Sequence, residues 1–209
     1  MIDIVEIVQI LKNTATPQSE FVQYTEKHKN PFIVLISCIL SLRTKDETTY
    51  PATLRMLKLG STPEDFLHVS QEELEKAIYP VGFYKNKAKQ ILEISKILVE
   101  KHNSQVPKTI EELIKFKGVG RKTANLTLAK GHGIPAICVD VHVHRICNRL
   151  GYVQTKEPDE TEMVLREKLP KQFWLDFNTI LVTHGQQICR PISPKCDICP
   201  IFELCEKLI

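Results

Sequence analysis

Two residues that could take part in a chemical reaction, Lys122 and Asp140, lie in one short segment of this sequence, residues 116–145. An uncharged lysine amine can attack an electrophilic carbon, and a carboxylate can relay protons or stabilise developing positive charge. The residue types alone favour simpler roles, because a lysine can be a point charge on a phosphate and an aspartate can cap a helix. The residues around Lys122 and Asp140 are therefore needed to distinguish the catalytic roles from these simpler ones.

A glycine pair stands just before Lys122. Gly118 and Gly120 flank Val119 between two runs of helical spacing, which predicts a helix, a tight hairpin and a second helix that begins near Arg121. The first N–H groups of a helix lack intrahelical partners and lie at the positive end of its dipole, so this hairpin could bind an anion such as a DNA phosphate. A P-loop is excluded, because that motif requires glycine directly before the lysine. A plain interhelical turn is the alternative.

Positive charge is concentrated around the hairpin. Residues 115–149 contain seven lysines and arginines and one acid, whereas the whole chain has a net charge of only +3. This concentration favours a polyphosphate ligand, and the low overall charge argues against a purely electrostatic binder. The alternative is a solvated basic face without a ligand.

Four of the seven cysteines are concentrated near the end of the chain, where their thiolates could wrap one metal centre. Their spacing does not distinguish a structural zinc from a four-iron cluster, and unbound thiols are a third alternative. Arg190 and Lys195 lie inside the same loop, so the centre could shape a basic loop against a phosphate. The four cysteines are Cys189, Cys196, Cys199 and Cys205.

The composition is that of a soluble globular protein, with 43% hydrophobic and 25% charged residues among 209. This length allows one domain or two small ones. No secretory signal is recognisable, and the longest apolar run, residues 32–40, is too short to span a bilayer, so we expect no membrane partner. Seven cysteines without an export signal indicate a reducing, cytoplasmic compartment. Cys38, Cys138 and Cys147 are expected to be buried.

Apolar residues recur at helical spacing along the chain, and no convincing alternating strand pattern is present. Ile4, Val5, Val8 and Leu11 predict one face of an N-terminal helix, and residues 32–40 predict a buried central helix. The predicted fold class is all-α, with about ten short helices.

Three further helix boundaries can be predicted from local signals. The run from Ala52 to Leu59 predicts one helix, and Ser61 followed by a proline and two acids predicts the start of another. Ser70 with Glu73 predicts a capping box.

The segment GFYKNKAKQ mixes aromatic and basic residues. It is expected to expose Phe83 and Tyr84 beside Lys85, Lys87 and Lys89. Aromatic side chains among lysines can insert into or stack on nucleic-acid bases, although such residues also commonly cover a helix end.

Three motifs, FKGVGRKTAN, VDVHVHR and the final four-cysteine spacing, resemble in order and spacing the endonuclease III family of DNA base-excision glycosylases. GFYKNKA and LSLRTKDETT extend the resemblance over nearly the whole chain. It implies two helical domains with a DNA-binding cleft between them. One is a six-helix barrel, residues 22–131, that contains the helix-hairpin-helix; the other is a discontinuous iron–sulfur domain, residues 1–21 with 132–209. It also implies a [4Fe-4S] cluster on the four C-terminal cysteines.

By motif, the resemblance implies that Lys122 is the nucleophile and Asp140 the catalytic carboxylate. The lysine amine attacks C1′ of the damaged nucleotide, expels the base and forms a Schiff base. The imine acidifies the C2′ hydrogen, so the 3′ phosphate is eliminated and the strand is nicked. Asp140 would relay protons and stabilise the developing sugar cation.

The resemblance also implies DNA contacts around a base flipped out of the duplex. This chain departs from the usual bacterial pattern at two positions: Arg43 replaces the glutamine that fills the gap, and Phe83 replaces a leucine wedge. The preference for the opposite base is therefore in doubt. His142 matches a position near the flipped base, and His144 is expected to make a packing or phosphate contact. The predicted DNA contacts are Gly118, Val119, Gly120, Arg121, Thr123, Arg43, Phe83, His142, Arg190 and Lys195.

The sequence thus predicts a bifunctional DNA N-glycosylase and AP lyase that removes oxidised or ring-saturated pyrimidines from duplex DNA. Two alternatives are a monofunctional thymine or uracil mismatch glycosylase and a non-catalytic iron–sulfur DNA-binding protein. The expected partner is double-stranded DNA with damaged bases or abasic sites. The protein is expected to be a monomer in the cytoplasm, associated with the nucleoid of a prokaryote.

Overall fold

The computed structural model describes residues 2–14 and 29–208. All regular structure in these two ranges is helical, with no strand, which confirms the predicted all-α class. None of the described helices combines the length and the apolar composition that a membrane crossing requires. The α-helices are α1 Ile4–Thr14, α2 Pro31–Ser41, α3 Asp46–Leu57, α4 Gln71–Ile78, α5 Tyr84–His102, α6 Ile110–Leu113, α7 Arg121–Leu126, α8 Val141–Arg149, α9 Pro158–Lys168 and α10 Phe177–Gln187.

Shorter helical turns complete the described structure. A π-helical turn, Thr127–His132, continues α7. Four 3₁₀ turns are Asp65–His68, Lys171–Phe173, Cys196–Ile198 and Phe202–Leu204.

Contacts group the described residues into two compact units. The hairpin unit contains the described residues from 29 to 134, and the cysteine unit contains residues 2–14 and 135–208. The predicted barrel boundary at residue 22 lies outside the described residues, so the predicted domain boundaries stay a prediction.

The hairpin unit is built around α2. Its residues 32–40 are all buried, as expected for a central helix without a polar face. Asn30 caps α2 by accepting hydrogen bonds from the N–H groups of Phe32 and Ile33. The π-helical turn packs closely on the start of α2, since a Cβ added to Gly131 would lie 2.7 Å from the Cα of Pro31. The buried helix α2 therefore supports α7 and its continuation.

The cysteine unit has a core formed by α1, α8, α9 and α10. Ile4, Ile7, Val8 and Leu11 of α1 are buried. Val5 is half-buried and packs against the same core, so the predicted face is confirmed, and Ile7 extends it.

Two predicted helix boundaries in the hairpin unit need correction, and one is confirmed. Helix α3 begins at Asp46 rather than near Ala52, because acids in its first turn favour the helix start and the exposed Pro51 is tolerated inside it. The segment after Ser61 forms only the short 3₁₀ turn Asp65–His68. The capping box is confirmed, since Ser70 and Glu73 satisfy each other's backbone N–H groups.

Candidate functional site

Gly118 gives the hairpin its sharp turn. Its φ of +77° lies in the left-handed region, and an added Cβ would lie 2.7 Å from Nε2 of Gln90. That same Nε2 donates a 2.8 Å hydrogen bond to the carbonyl oxygen of Lys117. Glycine is therefore required at this position by the conformation of the turn and by the close approach of Gln90.

Gly120 has a different role. It is the N-cap residue of α7, with φ −92° and ψ 177°, and an added Cβ would meet no atom within 4 Å. Packing within the protein therefore does not require glycine here, whereas a ligand approaching the start of α7 would benefit from the missing side chain. Val119 and Thr123, two of the predicted DNA contacts, are buried, so neither offers its side chain to such a ligand.

These differences predict opposite effects for two alanine variants. Gly118→Ala should lower the free energy of unfolding by about 1–2 kcal/mol, the usual cost of a left-handed alanine. Gly120→Ala should change stability by less than about 1 kcal/mol. It should nevertheless weaken DNA binding by roughly tenfold, because a backbone hydrogen bond to a charged group contributes about 1.5–3 kcal/mol. Urea unfolding and fluorescence anisotropy on a duplex measure the two effects; unaltered DNA binding by Gly120→Ala would contradict the assignment.

Lys122 is the second residue of α7, and its side chain is exposed. It lies near the buried thiol of Cys38 on α2, on which its charge acts. Burial raises the pKa of that thiol to about 12, against a smaller opposing effect of Lys122. The buried helix α2 thus packs against α7, and the exposed Lys122 lies in the first turn of α7.

Asp140 is the N-cap of α8. Its Oδ1 accepts hydrogen bonds of 2.9 Å from the backbone N–H groups of His142 and Val143. Asp140 therefore caps a helix, which is the simpler role that its residue type favoured. A capping carboxylate can also take part in catalysis, so the catalytic role of Asp140 stays a prediction.

The two histidines after Asp140 have different surroundings. Nδ1 of His142 lies 3.0 Å from a guanidinium nitrogen of Arg145, and an added Cβ on Gly185 would come within 2.5 Å of that Nδ1. His144 instead lies 2.7 Å from the hydroxyl of Thr161. His144 therefore packs between α8 and α9, whereas the half-buried His142 remains a predicted DNA contact.

All four C-terminal cysteines line one apolar cavity of about 30 Å³. Within residues 2–14 and 29–208, however, no three Cys, His, Asp or Glu side chains converge closely enough for a single metal ion. Four thiols that line one cavity without forming a site for a single ion fit a polynuclear cluster better than the zinc considered from their spacing.

Two arginines of α8, which the sequence reasoning missed, hold the cysteine loop. Arg145 donates hydrogen bonds of 2.7 and 3.2 Å to the carbonyl oxygen of Cys189. Arg149 donates to the carbonyl oxygens of Arg190 and Pro191, and one of its nitrogens lies 3.5 Å from Sγ of Cys189. The available signal was their spacing of four residues, which places both on one face of α8. The side chains of Arg190 and Lys195, the predicted DNA contacts in this loop, are exposed.

Comparisons with known proteins decide the family. A profile for HhH-GPD superfamily base excision DNA repair proteins matches residues 36–171, and one for the iron-sulfur binding domain of endonuclease III matches residues 189–205. Endonuclease III of Thermotoga maritima is 46% identical over 180 residues, which cover 86% of this chain and 84% of that protein. The chain belongs to the endonuclease III family.

Solved structures of endonuclease III have the same fold. A non-covalent endonuclease III–DNA complex matches with a TM-score of 0.84 and 34% identity, over 98% of this chain and 94% of that one. A trapped endonuclease III–DNA covalent intermediate matches with a TM-score of 0.83 and 34% identity, over 99% and 97%. The chain spans about half the length of the longer chloroplastic homologues of Arabidopsis thaliana, 47% and 48%.

As in the endonuclease III family, the cofactor is a [4Fe-4S] cluster, and the four cysteines around the cavity are the residues that would hold it. Such a cluster supplies a rigid, charged centre around which a loop can fold.

We expect Cys199→Ser to lose stoichiometric iron and the visible absorption of an iron–sulfur protein. Cys138 is buried and distant in sequence from the four cysteines, so the control Cys138→Ala should retain both. Iron and sulfide analysis after anaerobic purification checks this. A colourless wild-type protein with one zinc per chain would contradict it.

The two residues at which this endonuclease III family member departs from the predicted pattern lie together. Arg43 and Phe83 are both exposed, and Cζ of Arg43 lies 4.7 Å from the centroid of the Phe83 ring. Both have a left-handed backbone, with φ of 56° and 59°. Of the two aromatic residues expected to be exposed beside the lysines, Phe83 is exposed, but Tyr84 is half-buried. Among those lysines, Lys87 is only 6% exposed.

Proposed function

We propose that this chain is a bifunctional DNA glycosylase and AP lyase of base excision repair, with Lys122 as its nucleophile. The observation that carries the proposal is an exposed lysine in the first turn of the helix that follows the glycine hairpin, in a member of the endonuclease III family. A related endonuclease III has been trapped as a covalent intermediate with DNA, which requires a nucleophilic group on the protein.

The proposed reaction begins when the uncharged Nζ of Lys122 attacks C1′ of the damaged nucleotide. The C1′–N glycosidic bond breaks, and its electron pair leaves with the base, which takes up a proton. O4′ then takes up a proton and the C1′–O4′ bond of the sugar ring breaks, so that the nitrogen lone pair forms a protonated imine with C1′. This imine acidifies the C2′ hydrogen; loss of this proton forms a C2′–C3′ double bond and breaks the C3′–O bond, so that the 3′ phosphate leaves. Water then hydrolyses the imine and frees the lysine. Asp140 would stabilise the sugar cation and relay the protons.

The proposed substrate is double-stranded DNA that carries an oxidised or ring-saturated pyrimidine. The base must leave the stack before its glycosidic bond can be reached, and extrusion leaves a gap in the duplex. The exposed Arg43 and Phe83 side chains are the proposed groups that fill this gap, since an apolar ring can wedge between base steps and a guanidinium can donate to base edges. We also propose a monomer that acts in the cytoplasm.

Borohydride trapping on duplex oligonucleotides tests the substrate class. Thymine glycol, a guanine–thymine mismatch and a plain abasic site are compared under identical conditions. We expect a covalent adduct on the oxidised pyrimidine and on the abasic site. Base loss at the mismatch alone, without an adduct, would move the protein to the monofunctional mismatch class.

A further inference from the structure

Lys87 is a buried lysine with no part in the proposed reaction. Its Nζ donates hydrogen bonds of 2.8 Å to the carbonyl oxygen of Leu40 and 2.6 Å to that of Leu42. These carbonyls lie at the C-terminal end of α2, where carbonyl groups lack intrahelical partners and a cation is favoured. Burial lowers the pKa of Lys87 to about 8, so the ammonium is still the main form at neutral pH. One ammonium therefore fixes the point where the chain leaves α2.

The same ammonium connects two loops that are distant in sequence. Nζ lies 3.2 Å from Oγ1 of Thr44, and this oxygen accepts a 3.2 Å hydrogen bond from the backbone N–H of Gly82. The loops are also in close contact, since a Cβ added to Gly82 would lie 3.2 Å from the carbonyl oxygen of Arg43 and 3.3 Å from Oγ1 of Thr44. Lys87 and Thr44 thus hold the loop after α2 against the turn before α5.

Each of these loops presents one residue in a left-handed conformation. Arg43 follows Leu42 with a φ of 56°, and Phe83 follows Gly82 with a φ of 59°. Residues with side chains rarely adopt such angles unless the surrounding structure enforces them. Here the enforced geometry stacks the Arg43 guanidinium on the Phe83 ring, which remains 56% exposed.

We propose that Lys87 is a positioning residue that assembles the Arg43–Phe83 pair before DNA arrives, by holding both loops through Leu40, Leu42 and Thr44. The inference rests on the proposed function, in which this pair fills the gap left by the extruded base. A pair that is ordered in advance does not have to lose side-chain and loop freedom during DNA entry. Lys87 itself cannot contact DNA, because it is buried beneath the two loops.

Lys87→Met tests the proposal, because methionine keeps the length and apolar stem of lysine but donates no hydrogen bond. Single-turnover release of thymine glycol is compared in a fully paired duplex and in a duplex whose lesion lies in an unpaired bubble. We expect release from the paired duplex to fall by roughly 10- to 100-fold, the effect of a small misplacement of a positioning group. Release from the bubble should stay near the wild-type rate, since no paired base has to be extruded and replaced. Lys96→Met, an exposed position on the same helix, is the matched control.

A double-mutant cycle separates positioning from a general structural effect. If Lys87 acts through the stacked pair, Lys87→Met should cost little in a Phe83→Ala background. Thr44→Val removes the hydroxyl that connects Lys87 to Gly82 but keeps the lysine, so it should lower release in the same direction as Lys87→Met. If Lys87→Met does not fold, Thr44→Val tests the proposal in its place.

Three results would overturn the inference: wild-type rates for Lys87→Met on the paired duplex, equal losses on both substrates, or additive costs with Phe83→Ala. Failure of the proposed function is a distinct outcome, because the wild-type protein would then release thymine glycol from neither substrate.

Discussion

Replacing Lys122 by glutamine should abolish borohydride trapping and lower AP lyase activity by roughly 10³-fold or more, because an amide nitrogen cannot form an imine with C1′. The fold should be retained, since the Lys122 side chain is exposed and lies in the first turn of α7. Glutamine keeps a similar length and polarity, so the variant changes the chemistry of the group with little change in packing. Trapping gels and single-turnover nicking of an abasic duplex measure the loss.

Lys117→Gln is the matched control for the charge of Lys122. Lys117 belongs to the same hairpin and is also exposed, so its replacement removes an equal positive charge from the hairpin. We expect Lys117→Gln to weaken DNA binding and to reduce its salt dependence, but to retain trapping. Trapping by Lys122→Gln at the wild-type level would show that another amine forms the imine and that Lys122 is only a phosphate contact. Absence of trapping in the wild-type protein itself would instead indicate a monofunctional glycosylase or a non-catalytic DNA-binding protein.

The hairpin and the cysteine loop show how far the sequence could predict this structure. The glycine pair predicted a tight hairpin before α7, and the left-handed φ of +77° at Gly118 confirms the turn. The four closely spaced cysteines were predicted to converge, and they do line one cavity. Both predictions concern residues near each other in the chain, where spacing limits the geometry. The sequence spacing of the cysteines could not distinguish zinc from an iron–sulfur cluster. That choice required the arrangement of the thiols in the structure and the family comparison.

Lys87 shows why the rest could not be predicted. It was grouped with Lys85 and Lys89 because all three are lysines in one segment, yet it lies four and seven residues before Ile91 and Ile94, on the buried face of α5. The helical period could therefore have indicated burial. Its partners could not have been found this way, since the carbonyls of Leu40 and Leu42 come from another helix end more than forty residues earlier.

The burial and packing of the DNA contacts predicted by family resemblance also could not be predicted from the sequence. The resemblance placed Val119 and Thr123 at the interface, but both residues are buried. It also gave no reason to expect that Arg43 and Phe83, forty residues apart, would stack on each other. These features depend on tertiary packing around α2 rather than on local pattern.

Asp140 allows the capping and catalytic roles to be separated by experiment. Asp140→Asn keeps a side-chain oxygen that can accept from the N–H groups of His142 and Val143, so the cap of α8 and the stability should be retained. It removes the negative charge, so base release should fall by roughly 10²–10⁴-fold if the carboxylate relays protons or stabilises the sugar cation. Asp140→Ala should lose both functions, with an additional decrease of about 1 kcal/mol in the free energy of unfolding.

The comparison of these two variants decides between the roles. Single-turnover release of thymine glycol measures catalysis, and urea unfolding measures the cap. If Asp140 were only a cap, Asp140→Asn would release the base at the wild-type rate and Asp140→Ala would lose activity only in proportion to its lost stability. Full stability with impaired base release in Asp140→Asn would show that base release requires the negative charge of Asp140 and not only its cap of α8.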